Sequence, residues 1–357
     1  MITAGRLEEL LGLFKKTRMA VFGDYFLDRY WFIDKRLAEI SLETDLEAHQ
    51  VARKLLSPGA AGTVLSNVAA LGAGKLHAVG MIGRDGEGFE LRNGVRNLGA
   101  DDAQLLEIPG IFTPTYTKPM VFKSETDIPA EINRVDIKNR KPIPRDVEDQ
   151  LIAGLRKIAP ECNALLISDQ VQEDNCGAVT DRVREELGAI ARECPNLKMI
   201  VDSRLRIGRF PKGIRLKPNQ SEAFRGAGMT MPERPSRAEV EKAGKALTAR
   251  TGTTVFITCG TRGLLVIEPD GKAESVPGVI VPPPIDIVGA GDSVMAGIAI
   301  SLASGATPAE AAAIGNMVAS VTVTKIGQTG TASHAELRER IRQIESGRLE
   351  LRGWQDQ

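Results

Sequence analysis

Histidine occurs three times in the 357-residue chain, cysteine four times, and aromatic residues make up only 4% of it. The cysteines (Cys162, Cys176, Cys194, Cys259) lie far apart without a C-x-x-C pair, and the histidines are His49, His77 and His334. These counts exclude the usual zinc spacings and a disulfide framework, so reduced thiols and a cytoplasmic location are expected. No G-x-S-x-G elbow marks a serine hydrolase. No apolar run is long enough to span a bilayer, and the N-terminus lacks a basic segment leading into an apolar core, so no membrane partner is expected. Net charge is missing too. The 46 Lys and Arg balance 46 Asp and Glu, which removes the electrostatic basis for binding nucleic acid. The first βα turn has no G-x-G-x-x-G, and the third glycine position after Gly289 and Gly291 is Val294, which argues against an NAD-linked dehydrogenase. Gly72-Ala-Gly-Lys75 is not a P-loop either, since Leu76 replaces the Ser/Thr and Ala69 the leading glycine.

What is present is an alternation of helix and strand patterns. An amphipathic helix over Arg6–Lys16 precedes a buried strand, Met19–Phe22, that ends at Gly23-Asp24. From Pro144 onward, helix and strand alternate, with Asp169 and Asp202 at two strand ends. Such alternation predicts a mostly parallel sheet with crossover helices. Ser236/Glu239 and Thr307/Glu310 read as capping boxes. Tyr25 to Val51 and Pro109 to Asp136 read as irregular, partly extended segments. A helix from about 334 to 350 is expected to be an appendage with a frayed tail. The whole of 1–357 is expected to form one domain.

The most informative stretch is Asp286-Ile-Val-Gly-Ala-Gly-Asp292, where a loop turns into an apolar helix. The first amides of a helix have no intrahelical partner and, with the helix dipole, favour an anion. A carboxylate at such a site is unfavourable unless it has chemistry to do, such as taking a proton from a hydroxyl that attacks a phosphoryl group. A plain C-cap, turn and N-cap Asp would account for the same residues.

The order of motifs settles that choice. Gly23-Asp24 with Asp28, the Pro58-Gly59 loop, Gly80-x-x-Gly83-x-Asp85-x-x-Gly88, Lys217-Pro-Asn219-x-x-Glu222, Thr258-x-Gly260-x-x-Gly263 and Asp286-x-x-Gly289-Ala290-Gly291-Asp292 together resemble the ribokinase-like (PfkB) family of carbohydrate kinases. The stretch from Gly23 to Trp31 is most similar to the kinase half of heptose-phosphate kinase/adenylyltransferases. A chain of this length is expected to carry that half alone. The resemblance implies a three-layer α/β/α sandwich with a mostly parallel central sheet and a small β-sheet lid, formed by about 28–51 and 109–137. It implies ATP-dependent phosphoryl transfer to a hydroxyl of a sugar or sugar phosphate, with a heptose 7-phosphate-like acceptor as one option.

By the same resemblance Asp292 is the general base and Gly289, Ala290 and Gly291 supply the anion hole with the Asp292 amide. Asn219 and Glu222 would organise Mg2+, through water. Thr258, Gly260, Thr261 and Gly263 would hold the nucleotide, and Asn316 with the Gly327–Gly330 loop would flank adenine. Asp28 and Gly59 would meet the sugar, with Asp24 nearby. Asp286 and the Ile287 carbonyl are candidate ligands for a monovalent cation such as K+. Dimerisation through the lid is expected. The acceptor side departs from the family pattern: Ala60 stands for the second glycine of a pair, and Gly62 or Thr63 stands where an asparagine usually reads the sugar. Asn67, one turn on, is the candidate replacement, and Arg29, Arg134, Arg204 and Arg206 are candidates for a substrate phosphate. The competing reading is a catalytically silent nucleotide or sugar sensor on the same fold.

Overall fold

The computed structural model describes residues 2–122, 129–327 and 329–354. Part of the second expected lid segment (123–128) and Gln328 of the 327–330 loop therefore lie outside the described residues.

The first strand organises the molecule. Strand β1 (Arg18–Ile33) is sixteen residues long and belongs to two sheets. Its first half runs parallel to β5 (Lys75–Gly83) on one side and to β10 (Ala164–Asp169) on the other. Outward from β5 lies β6 (Asp101–Ile108), a strand without a clear pattern in the sequence. Outward from β10 lie β11 (Lys198–Ser203), β12 (Arg215–Leu216) and β13 (Val255–Thr258), all parallel. The antiparallel strands β14 (Leu264–Ile267) and β15 (Ala273–Val276) close that edge through a turn at Asp270-Gly271.

Alternate β1 residues feed two separate cores, as the period of a strand requires. Met19 and Val21 join one core with α1 (Ala4–Phe14), α2 (Ala61–Ala70), α3 (Gly86–Asn97), α8 (Ala290–Ala303), α9 (Pro308–Thr322) and α10 (His334–Glu345). Ala20 and Phe22 join the other, with α4 (Arg145–Ile158), α5 (Asp181–Glu193), α6 (Gln220–Gly226) and α7 (Arg237–Thr251). The result is an α/β/α sandwich. Both expected capping boxes form. Helix α5 is preceded by a turn in which Asn175 takes φ 58°, and its N-cap is Thr180.

The segment from Tyr25 is not irregular. The second half of β1 pairs antiparallel with β4 (Val51–Ala60) and parallel with β7 (Thr115–Val121), which also pairs with the short strands β8 (Ala130–Glu131) and β9 (Val135–Ile137). Tyr30, Phe32, Met120 and Leu55 form a small core on one face of this second sheet. Buried aromatics break the apolar-polar alternation that would have announced a strand. Between β1 and β4, β2 (Glu39–Ile40) and β3 (Glu47–Ala48) make an exposed hairpin.

Helix α10 is not a loose appendage. Ser333 and Glu336 cap it, Leu337 and Ile341 are buried, and the tail returns as β17 (Leu351–Arg352) to pair with β16 (Gly278–Val279). Among the described residues no helix is long and apolar enough to cross a membrane.

Candidate active site

Helix α8 opens without a side-chain cap, on Gly289 at φ 78°, a left-handed conformation that glycine adopts without strain. The Ala290 amide donates to the Ile287 carbonyl at 3.1 Å, so it is spent on the turn. The amides of Gly289, Gly291 and Asp292 have no partner among the described residues. Three of the four expected anion-hole amides are therefore available and Ala290 is not. A Cβ on Gly289 would stand 2.6 Å from Thr329 and 3.4 Å from Thr63, so the loop end is packed from two sides.

Beneath this turn sits an ion pair between strand ends. Lys217, just past β12, is 2% exposed and places Nζ 2.5 Å from Asp202 Oδ2, at the end of β11, and 3.2 Å from the Gly291 carbonyl. Burial works against its charge, but Asp202, Glu222 and Asp292 outweigh it and hold the lysine above its ordinary pKa. Burial, reinforced by Asp202 and Asp28, pushes the Asp292 carboxyl up to about 7 against the pull of Lys217 and Arg204. A carboxylate poised near neutrality suits a general base. Burial and Asp202 likewise push Glu222 up. Asp202 and Lys217 were visible only as a strand-end acid and the first residue of a motif. What joins them is the parallel β11–β12 pairing, which sequence spacing does not reveal.

Asn219 and Glu222 form a reciprocal capping box at the start of α6: the Glu222 amide donates to Asn219 Oδ1 (2.9 Å) and the Asn219 amide to Glu222 Oε2 (2.8 Å). Glu222 Oε1 remains without a protein partner among the described residues. Described residues contain no cluster of three acidic, His or Cys side chains able to cage a metal. One open carboxylate oxygen beside a cavity fits a largely hydrated magnesium ion, which is held through water and phosphate rather than by a full protein cage.

A cavity of about 670 Å³ opens beside the α8 N-terminus, a volume suited to a cofactor-sized ligand. Asn219, Thr258, Gly260, Thr261, Gly263 and Asn316 all line it, together with Ala290 and Gly291. Asn316 spends its Nδ2 on the Val276 and Pro277 carbonyls (3.2 and 2.9 Å), so it fixes the cavity wall as well as lining it. Asp286 ties the neighbouring loops: its oxygens accept from the Val288 and Gly327 amides at 3.0 and 3.1 Å.

On the other side, Asp28 is 8% exposed and paired with Lys118 Nζ at 3.1 Å, which also donates to the Tyr30 hydroxyl at 3.0 Å. Ser57, Asp28, Tyr116 and Asp136 stand in register across four strands and so share one face of the second sheet. A Cβ on Gly59 would lie 2.5 Å from Asp28 Oδ2. Gly59→Ala must therefore push the carboxylate aside without touching the large cavity, which Gly59 does not line. On the roles expected of these residues from the family resemblance, steady-state kinetics should show the acceptor KM up by about tenfold and the nucleotide KM unchanged.

Two candidates for substrate contact are structural. Both Asp24 oxygens are consumed by backbone amides: Oδ2 by Gln170 (2.7 Å) and Val171 (2.9 Å), Oδ1 by Ala178 (2.8 Å). It braces the 170–178 loop and offers nothing to a sugar. Asn67 is fully buried, its Nδ2 donating to the Thr63 and Gly330 carbonyls at 3.0 and 3.4 Å, so it struts α2 against the loop before α10. Neither replaces the missing acceptor-side asparagine.

The arginines divide similarly. Arg206 is buried against Asp169, Asp174 and two loop carbonyls, and Arg29 pairs with Glu87 at 2.6 Å. Arg134 pairs with Asp136 and covers the Tyr116 ring at 4.5 Å. The exposed guanidinium of Arg204 has no ion-pair partner among the described residues, and its charge acts on Asp292, Glu222 and Tyr116 alike.

Known proteins are similar to this chain in sequence and in fold. Residues 210–335 match the model of the pfkB family carbohydrate kinases. The chain is 28% identical over 333 residues to the bifunctional protein HldE of Geobacter metallireducens, covering 93% of this chain and 64% of that protein. To the bifunctional protein HldE of Shewanella amazonensis it is 30% identical over 340 residues, 94% and 66% of the two chains. The chain thus spans somewhat under two thirds of these relatives' length. Among solved structures, phosphofructokinase-2 from Escherichia coli in complex with substrates and products superposes with a TM-score of 0.68 at 18% identity, covering 92% of this chain and 99% of that one. Ribokinase of Arabidopsis thaliana complexed with ribose and ATP superposes with a TM-score of 0.67 at 15% identity, covering 91% and 99%. The chain has the ribokinase-like α/β fold and carries a PfkB-family carbohydrate kinase domain.

Proposed function

We propose that this protein transfers the γ-phosphoryl group of ATP to a hydroxyl of a sugar or sugar phosphate. The observation that carries the reading is Asp292 in the first turn of α8, poised near neutrality beside three unpartnered amides at the mouth of the large cavity. Nucleotide occupies the cavity lined by Thr258, Gly260, Thr261, Gly263 and Asn316, and the acceptor lies toward Asp28 and Gly59. Asp292 takes the hydroxyl proton as the new O–P bond forms and the bond to ADP breaks. The amides of Gly289, Gly291 and Asp292, with the helix dipole, take charge developing on the transferred group. Bound magnesium neutralises nucleotide phosphate charge; Glu222 Oε1, oriented by the capping box with Asn219, is the oxygen that would meet its hydration shell.

The second sheet would act as the lid over the acceptor, and the exposed side chains of Ile40, Leu42, Leu46 and Val135 on it and its hairpin make it the face by which two copies would join. A monovalent cation such as K+ would sit at Asp286 and the Ile287 carbonyl. Each of these oxygens already accepts one amide, which leaves weak ligands of the kind such an ion needs, and phosphofructokinase-2 is known in complex with potassium. A heptose 7-phosphate-like acceptor is favoured by the resemblance of Gly23–Trp31 to heptose-phosphate kinases and by Arg204, which has no ion-pair partner among the described residues and whose charge acts on Tyr116.

A coupled ADP-release assay over heptose 7-phosphate, fructose, fructose phosphates, ribose and nucleosides tests the reading. Acceptor-dependent release of ADP with at least one sugar, strongest with a phosphorylated one, is expected. ATP binding without acceptor-dependent release over the whole panel would establish the silent sensor instead.

A further inference from the structure

The tail after α10 makes contacts that the phosphoryl-transfer reading does not use. Its strand β17 pairs with β16, and the Ile280 amide donates to the Glu350 carbonyl at 2.9 Å. Gly278, Val279 and Ile280, the residues so held, are wall residues of the nucleotide cavity. Gly353 passes over Pro277, where a Cβ would stand 3.7 Å from the proline ring and from Ser275 Oγ. Asn316 Nδ2 donates to the Pro277 carbonyl at 2.9 Å. Beyond it, Trp354 lies under the guanidinium of Arg262, 3.7 Å from ring centroid to Cζ, with its indole N–H buried beside the Cys259 thiol.

Arg262 occupies the centre of the turn whose neighbours Gly260, Thr261 and Gly263 line the cavity. Its Nη2 donates to Gln220 Oε1 at 3.3 Å, one residue past Asn219. That turn and the β15–β16 connection interlock closely: a Cβ on Gly263 would meet the Val276 carbonyl at 2.1 Å, and one on Gly278 the Thr261 carbonyl at 2.6 Å. Movement of either segment must be transmitted to the other, because backbone contacts this close do not yield.

We infer that the Trp354–Arg262 stack makes the C-terminal tail a positioning element of the nucleotide site, holding the 260–263 turn and the Gly278–Ile280 wall in the geometry that binds ATP. The inference rests on the donor assignment proposed above. Its effect is on donor affinity, since neither residue reaches Asp292 or the second sheet. A cation over a tryptophan face is favourable, more so when partly desolvated, and Phe retains part of that attraction whereas Ala retains none.

The test uses the full chain and an ATP analogue with a non-hydrolysable β–γ bridge, with Mg2+. Calorimetric titration should show Trp354→Ala binding the analogue about tenfold more weakly than the parent and Trp354→Phe within about threefold of it. In steady-state assays the nucleotide KM rises in Trp354→Ala while kcat and the acceptor KM hold. The chain has two tryptophans, Trp31 and Trp354. In a Trp31→Phe background the emission of Trp354 should therefore change as the analogue binds, a readout that needs no destabilising substitution. A parent that binds no nucleotide overturns the donor assignment and this inference with it. Equal binding by parent and Trp354→Ala, or silent Trp354 emission on a protein that calorimetry shows to be saturated, overturns the tail's role alone.

Discussion

Asp292→Asn should lower kcat by about 10³-fold while nucleotide affinity stays within about threefold, as expected when a general base is removed from an intact binding site. The amide is nearly isosteric, and among the described residues Asp292 makes no side-chain hydrogen bond that holds the loop, so the anion hole survives the change. The parent should show kcat/KM rising with pH through about 7, the value to which burial and Asp202 bring this carboxyl, and the variant should lose that inflection. The same shift fixes the sign of a stability effect. The folded carboxyl titrates near 7 and the ordinary value is 3.8, so Asp292 ionises more readily in the unfolded chain. The parent therefore loses stability from this group as pH rises from about 4 to about 7, and the full cost is present above 7. The variant should melt a few degrees above the parent at pH 8 and show no advantage at pH 4. Loss of activity with an unchanged pH inflection in the residual rate would show that another group is the base. A melting difference that does not grow with pH would show that Asp292 is not strained by its burial.

Much of the frame was legible in the sequence because its signals are local. Helix period, capping boxes and apolar strand runs gave the parallel sheet, and glycines at a loop-to-helix junction exposed the α8 N-terminus. Asp24 could not be read this way. A strand-end carboxylate has the same local sequence whether it faces a ligand or, as here, three amides more than 140 residues downstream. Asn67 sits on its helix at a spacing that fits a ligand-facing turn, yet its amide is taken by a carbonyl 263 residues away. Strand β1 was cut short at Asp24 because Tyr25, Leu27, Tyr30 and Phe32 are buried in two different cores, leaving no single alternation to detect. Lys217 and Asp202 lie fifteen residues apart in sequence and meet only because β11 and β12 are parallel neighbours joined by a crossover.

That buried pair carries the other large expected effect. Lys217→Met removes the cation around which Asp202, Glu222 and Asp292 are gathered, and with it the bond to the Gly291 carbonyl that fixes the α8 turn. Breaking a buried pair from one side leaves an uncompensated charge, so denaturant unfolding should show a loss of about 3–5 kcal/mol at pH 8. Activity should respond in a way that a merely structural loss would not. Lys217 pulls the Asp292 carboxyl down against burial, so the variant's pH–rate inflection should move upward by about one unit. At neutral pH the smaller ionised fraction then lowers kcat/KM by about fivefold, the loosened α8 turn lowers it further, and the first part of the loss is recovered by assaying near pH 9. Arginine is not a rescue, because the lysine nitrogen is already buried between Asp202 Oδ2 at 2.5 Å and the Gly291 carbonyl at 3.2 Å, and the longer, planar guanidinium cannot take its place. Adding Asp202→Asn to Lys217→Met should return much of the stability, since the orphaned carboxylate goes with its partner, but not the lost rate. If the double variant is no more stable than Lys217→Met alone, the ion pair is not what Lys217 contributes. If the inflection of the single variant stays where the parent's lies, Lys217 does not tune the base, and the low activity of that variant is damage to the turn.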